Sequence, residues 1–137
     1  MNFTELREMW AEDAIIDDTD IKMEAIKIPQ LHSKYLNYYS DITLTKEKLD
    51  SDLKLIWRQL YEYYNGIDPT NCYQQKILKG SINDFIESDK KYIELKSKIK
   101  YYEAILSFLS EVIRNINNRS FAIKNYIEAR KFENGEF

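Results

Sequence analysis

At 137 residues, 44% hydrophobic and 31% charged, the chain suits one domain with a modest core and is neither disordered nor membrane-spanning in composition. Two prolines and three glycines are few for a turn-rich β fold, and the one cysteine, Cys72, excludes an internal disulfide and points to a cytosolic setting. The opening Met1-Asn2-Phe3-Thr4-Glu5 has no basic region leading into an apolar stretch, so no signal peptide is expected.

The elements read as helices throughout. The first covers Thr4 to Ala14, with Phe3, Leu6, Met9 and Trp10 on one side. Asp17-Asp18-Thr19-Asp20 reads as a helix start, because these side chains accept hydrogen bonds from free N–H groups and acids suit the positive end of the helix dipole. A calcium loop is the sharper alternative, but the run lacks the glycine and distal glutamate of an EF-hand. A second helix runs from about Ile21 to Tyr39, with a kink or break expected at Pro29. Ser40 or Asp41 can cap its continuation to Asn65, where Asn65-Gly66 ends it. Along that continuation Leu49, Leu53, Ile56, Leu60 and Tyr63 follow the alternating spacing of a coiled-coil seam, with Ile42 in the same register.

Residues 67–88 are less regular. Asp68-Pro69 and Gly80-Ser81 mark turns, with a short helix possible between them. A long heptad pattern follows through Tyr92, Leu95, Ile99, Tyr102, Leu106, Leu109, Ile113 and Ile116, widened by Ile105, Phe108 and Val112. So broad an apolar arc needs more than one partner, which in a small chain implicates another subunit. Asn117-Asn118 interrupts the pattern, and a last helix covers about 120–132. The expected fold is all-α. A long antiparallel helical hairpin, with long helices at about 21–65 and 89–117 and coiled-coil-like seams, carries short terminal helices in a single domain, 1–137.

The net charge of −3 hides an asymmetry. Residues 1–20 carry −6, whereas ten Lys and Arg against five acids give residues 89–131 a charge of +5. One face can therefore attract phosphate while the whole stays soluble, although solvated helix faces would give the same pattern.

Catalytic chemistry is hard to find. Gly66, Gly80 and Gly135 cannot build a phosphate loop, and one histidine (His32) with one cysteine excludes a His/Cys zinc cage. Glu12-Asp13 and Asp17-Asp18 have no evident pocket to shift their pKa values. No enzyme, metal or cofactor is expected.

The informative stretch is 42–65. With Leu53 and Leu60 at heptad position a, Arg58 falls at f, Lys54 and Tyr61 at b, and Trp57 and Tyr64 at e. Cations beside aromatic rings suit sequence-tolerant single-strand binding: the cations follow phosphates and the rings stack on bases. The bland alternative makes Trp57 and Tyr64 core, and Lys54 and Arg58 solubilising charge. A scaffold without nucleic-acid binding and a duplex-binding co-regulator are the rival functions.

Several segments resemble the UvsY family of phage recombination mediators. They are Ile16-Asp17-Asp18-Thr19, Glu24-Ala25, Ser33-Lys34-Tyr35-Leu36-Asn37, Tyr63-Tyr64-Asn65-Gly66 and Arg119-Ser120-Phe121-Ala122-Ile123-Lys124, then Arg130 and Phe132-Glu133. They keep the family's order over most of the chain; residues 67–90 match poorly. The resemblance implies a non-enzymatic protein of the host cytoplasm that forms a homo-oligomeric ring of six or seven subunits. It also implies binding of single-stranded DNA with little sequence preference, and contact with a RecA-like phage recombinase and the phage single-strand-binding protein. Arg58 matches one cation of the family's basic cluster, whereas Leu60 stands where a second is expected. The expected single-strand surface is Lys54, Trp57, Arg58 and Tyr61 with Arg119 and Lys124. Self-association is expected through Leu106, Leu109, Ile113 and Ile116 with Phe121, Ile123 and Ile127, the closing segment being the part the family uses for it.

Overall fold

Asn2 starts the first helix by accepting a hydrogen bond from the Glu5 N–H while Glu5 reaches back to the Asn2 N–H. This reciprocal cap fixes α1 at Phe3–Asp13. The structure is a computed structural model describing residues 2–67 and 70–135; the turn expected at Asp68-Pro69 lies outside the described residues. After α1 come α2 (Ile21–Tyr64), a 3-10 turn (Lys79–Ser81), α3 (Ile82–Glu87) and α4 (Lys90–Glu133). There is no strand among the described residues.

The acidic run before α2 does start a helix. Asp17 accepts from the N–H and hydroxyl of Thr19, and Asp20 from the N–H of Met23. From there α2 continues for 44 residues with no break at Pro29 and no restart at Ser40 or Asp41. Proline removes one backbone hydrogen bond, at a cost of about 3 kcal/mol in a helix interior. Buried side chains on both sides of it, Glu24 and Tyr35, hold the helix together. Likewise α4 runs unbroken through Asn117-Asn118. Asparagine costs a helix at most about 0.7 kcal/mol, and the buried face continues from Ile116 past the pair to Arg119 and Ile123. The separate terminal helix at about 120–132 is therefore the end of α4. The short helix of the middle region follows Gly80-Ser81 rather than preceding it.

The heptad seam of α4 also shifts. Beyond Tyr102 the buried positions are Ile105, Leu109, Val112, Ile116, Arg119 and Ile123, while Leu106 and Ile113 are only half-buried. An α-helix drifts by about 20° per heptad against a strict 3.5-residue repeat, so the buried line moves one position along the stripe.

The chain forms two compact units, and α2 and α4 contribute to both. One joins residues up to Asp41 with those from Ile105 onward. Its core includes Leu6, Tyr35, Leu109, Val112 and Ile116, and α1 is seated there by edge-on ring pairs, Phe3 with Phe108 at 5.5 Å and Trp10 with Tyr35 at 5.3 Å. The other covers Ile42–Ala104. There Leu60, Ile82 and Ile86 pack together, with Ile56, Tyr64, Ile77 and Tyr92 against them. In that unit Tyr64 meets Asp89 and Lys46 meets Glu103. No helix among the described residues is long and apolar enough to cross a membrane.

Candidate nucleic-acid interface

The four residues proposed on α2 share one exposed helical face. Lys54, Trp57, Arg58 and Tyr61 follow at steps of three, one and three, which brings them to one side. The Trp57 and Tyr61 rings stack in near-parallel planes, with centroids 5.4 Å apart and 15° between them. They remain 38% and 37% exposed. Such a pair is worth about 0.5–1.5 kcal/mol beyond its burial, enough to hold two ring faces ready for a base. Arg58 is 78% exposed and its Nε donates to Glu62 at 3.3 Å. An exposed pair of this kind contributes only about 0.2–1 kcal/mol, and a guanidinium carries five donors, so Arg58 can take a phosphate while staying beside Glu62. Lys54 is exposed and makes no ion pair among the described residues. Leu60, by contrast, is buried against Ile82 and Ile86. A cation there would be buried too, so position 60 belongs to the core and not to a basic surface.

Arg119 is a correction. It is 3% exposed and bonds entirely within its own unit: Nη1 donates to the Asp13 carbonyl at 3.0 Å, and Nη2 to the Ile15 carbonyl at 3.1 Å and to Glu24 at 3.0 Å. It ties the α1–α2 connection and the start of α2 to α4, and its one unpartnered nitrogen, Nε, is buried out of reach of a phosphate. Burial works to raise the Glu24 pKa, but hydrogen bonds from Arg119 and Lys27 outweigh it and hold the carboxyl below its ordinary value. Asp13 behaves alike: burial opposes ionisation, and bonds from Lys34 and Tyr35, both 2.7 Å, overcome it. Burial and the Asp13 carboxylate push the Tyr35 phenol far up. The spacing of Arg119 on the seam was the one available signal, since 112, 116, 119 and 123 step as a buried line. Lys124 is exposed and lies in the unit of Arg119, whereas the α2 stripe lies in the other.

The residues proposed for self-association divide. Leu109, Ile116 and Ile123 are buried by the chain itself and are not available to another subunit. Leu106 and Ile113 are half-buried, and Phe121, 66% exposed, and Ile127 face solvent. Tyr126 and Phe132, which the heptad pattern passes over, are exposed on the same terminal stretch. No group of His, Cys, Asp and Glu among the described residues could hold a metal ion.

Residues 9–136 match the family described as "Recombination, repair and ssDNA binding protein UvsY". The chain therefore belongs to the UvsY family of recombination, repair and single-stranded-DNA-binding phage proteins. It is 28% identical to the "Recombination protein uvsY" of Enterobacteria phage T4 over 137 residues, covering 99% of this chain and 100% of that one. Crystal structures of the bacteriophage T4 recombination mediator protein UvsY share its fold. One, in lattice type II, gives a TM-score of 0.91 at 27% identity over 97% of this chain and 98% of that one. Another, in lattice type I, gives 0.89 at 28% identity over 94% and 98%.

Proposed function

We propose that the chain is a recombination mediator. It binds single-stranded DNA without strong sequence preference and promotes loading of a RecA-like phage recombinase in place of the single-strand-binding protein. It acts in the host cytoplasm as a homo-oligomer and has no catalytic chemistry of its own. The observation that carries the reading is the exposed stripe of Lys54, Trp57, Arg58 and Tyr61, two cations flanking a stacked ring pair, on a chain whose T4 relative is named a recombination mediator.

Two cations per subunit bind weakly. A ring presents the stripe many times over, and linked sites raise the effective concentration of each further contact. The contacts Tyr64–Asp89 and Lys46–Glu103 favour an antiparallel hairpin of α2 and α4. The exposed rings Phe121, Tyr126 and Phe132, with Ile127, supply an apolar surface for a second copy. On α1 the acids Glu8 and Glu12 are exposed and suit a basic partner protein.

Lys54→Ala with Arg58→Ala tests the reading. Both side chains are exposed, so the fold should survive. Single-strand affinity should fall, and the salt slope should flatten by about 0.7 for each lost phosphate contact. Unchanged affinity and slope in a correctly assembled double variant would remove the stripe. Absence of single-strand binding by the unaltered protein would leave only a scaffold.

A further inference from the structure

Beside the stripe, in the same unit, the end of α2 and the start of α4 line a cleft of about 570 Å³. Its size lies within the roughly 300–1,000 Å³ typical of sites for small ligands. Ile56 and Leu60 supply apolar lining, and Gln59, Tyr63, Asn71 and Lys91 supply rings, amides and a cation.

Two acids, Glu62 and Asp89, also line it, and an anionic ligand would ordinarily be repelled. Both are already engaged. Glu62 pairs with Arg58. Asp89 accepts from the Lys91 N–H at 2.9 Å with one oxygen and from the Tyr64 hydroxyl at 2.7 Å with the other. Burial and that carboxylate push the Tyr64 phenol up to about 12, so it stays a donor across the physiological range.

The groups left over share a pattern. The side-chain amides of Gln59 and Asn71, the Tyr63 hydroxyl and the Lys91 ammonium make no hydrogen bond or ion pair among the described residues. The Tyr63 ring is held in place, edge-on to Tyr64 at 5.1 Å and to Tyr73 at 6.2 Å, and the Tyr63 carbonyl accepts from the Tyr73 N–H at 2.9 Å. A fixed ring, two amides that each donate and accept, and one cation are the complement of a nucleotide: a planar base with a hydrogen-bonding edge and a phosphate.

We infer that this cleft receives a nucleobase of the bound single strand, with Tyr63 against its face, Gln59 and Asn71 at its edge and Lys91 at its phosphate. The inference rests on the single-strand reading and adds a second base-holding position to the Trp57–Tyr61 pair. Amides can reorient to serve either donors or acceptors, so the cleft tolerates all four bases.

The test compares an oligothymidylate with an oligomer of equal length carrying abasic sites, so that the phosphates are the same and only bases differ. The unaltered protein should bind the base-bearing strand more tightly. Gln59→Met with Asn71→Leu, both at exposed positions, should lose about fivefold of that preference, what one or two net hydrogen bonds contribute, at an unchanged salt slope. Lys91→Gln should instead flatten the slope by about 0.7. A preference left intact in the double variant, or a slope left intact in Lys91→Gln, overturns the cleft while leaving the α2 stripe standing. If the unaltered protein binds neither oligomer, the single-strand reading itself falls.

Discussion

Replacing Arg119 with methionine removes a charge that reaches three separate pieces of backbone and side chain. Arg119 and Glu24 are each 3% exposed at the side chain and lie 3.0 Å apart. After the substitution the Glu24 carboxylate keeps Lys27, at 3.2 Å and half in solvent, and the backbone N–H of Asp17. The carbonyls of Asp13 and Ile15 each lose a donor. Breaking a buried pair by removing one partner costs about 3–5 kcal/mol. Lys27 offsets part of this, and the orphaned Arg119 Nε, which has no partner in the native fold, is relieved; a loss of about 3 kcal/mol is expected. With a urea m value of about 1–3 kcal/mol/M the unfolding midpoint should drop by roughly 1 M or more. Circular dichroism at fixed subunit concentration measures it, since self-association makes stability concentration-dependent. Adding Glu24→Leu to Arg119→Met should recover part of the loss, because no unpaired charge remains. A single-variant loss below about 1 kcal/mol, or a double variant equal to the sum of its singles, would refute the clamp.

Four further outcomes are expected. Because the Glu24 and Asp13 pKa values lie below their ordinary 4.5 and 3.8 in the folded chain, their stabilisation is complete above those values and is lost as pH falls through the lower folded ones. Acid titration should show this loss, and Glu24→Gln should remove its share of the pH dependence. Pro29→Ala restores a backbone donor in an unbroken helix and should raise the unfolding free energy by up to about 3 kcal/mol, seen as a higher urea midpoint. Ile86→Ala empties a fully buried position beside Leu60 and should cost about 2–5 kcal/mol. Phe121→Asp puts a charge on an exposed ring position and should leave the subunit folded while lowering the assembly mass in light scattering; an unchanged mass would place the subunit contact elsewhere.

The helical class, the cap-forming acids before α2 and the α2 seam were legible because periodicity and capping are local. Leu49 and Leu60 are buried as their heptad positions require. What escaped was set by tertiary contact. Pro29 and Asn117-Asn118 read as interruptions, yet the packing of Tyr35, Ile116 and Ile123 carries both helices past them. Arg119 read as a phosphate ligand because type and position cannot show that Glu24 lies opposite it, 95 residues away. The stripe at 54–61 was legible because an exposed helical face depends only on spacing. The cleft was not, since Asn71 and Lys91 join Gln59 and Tyr63 only through the fold.

The mediator role is tested most directly on single-stranded DNA already coated with the phage single-strand-binding protein, by timing the start of recombinase ATP hydrolysis. Adding the chain should shorten the lag, and Lys54→Ala with Arg58→Ala should restore most of it. A lag that the unaltered chain leaves unchanged, at concentrations where it binds bare single strands, would contradict the proposed function.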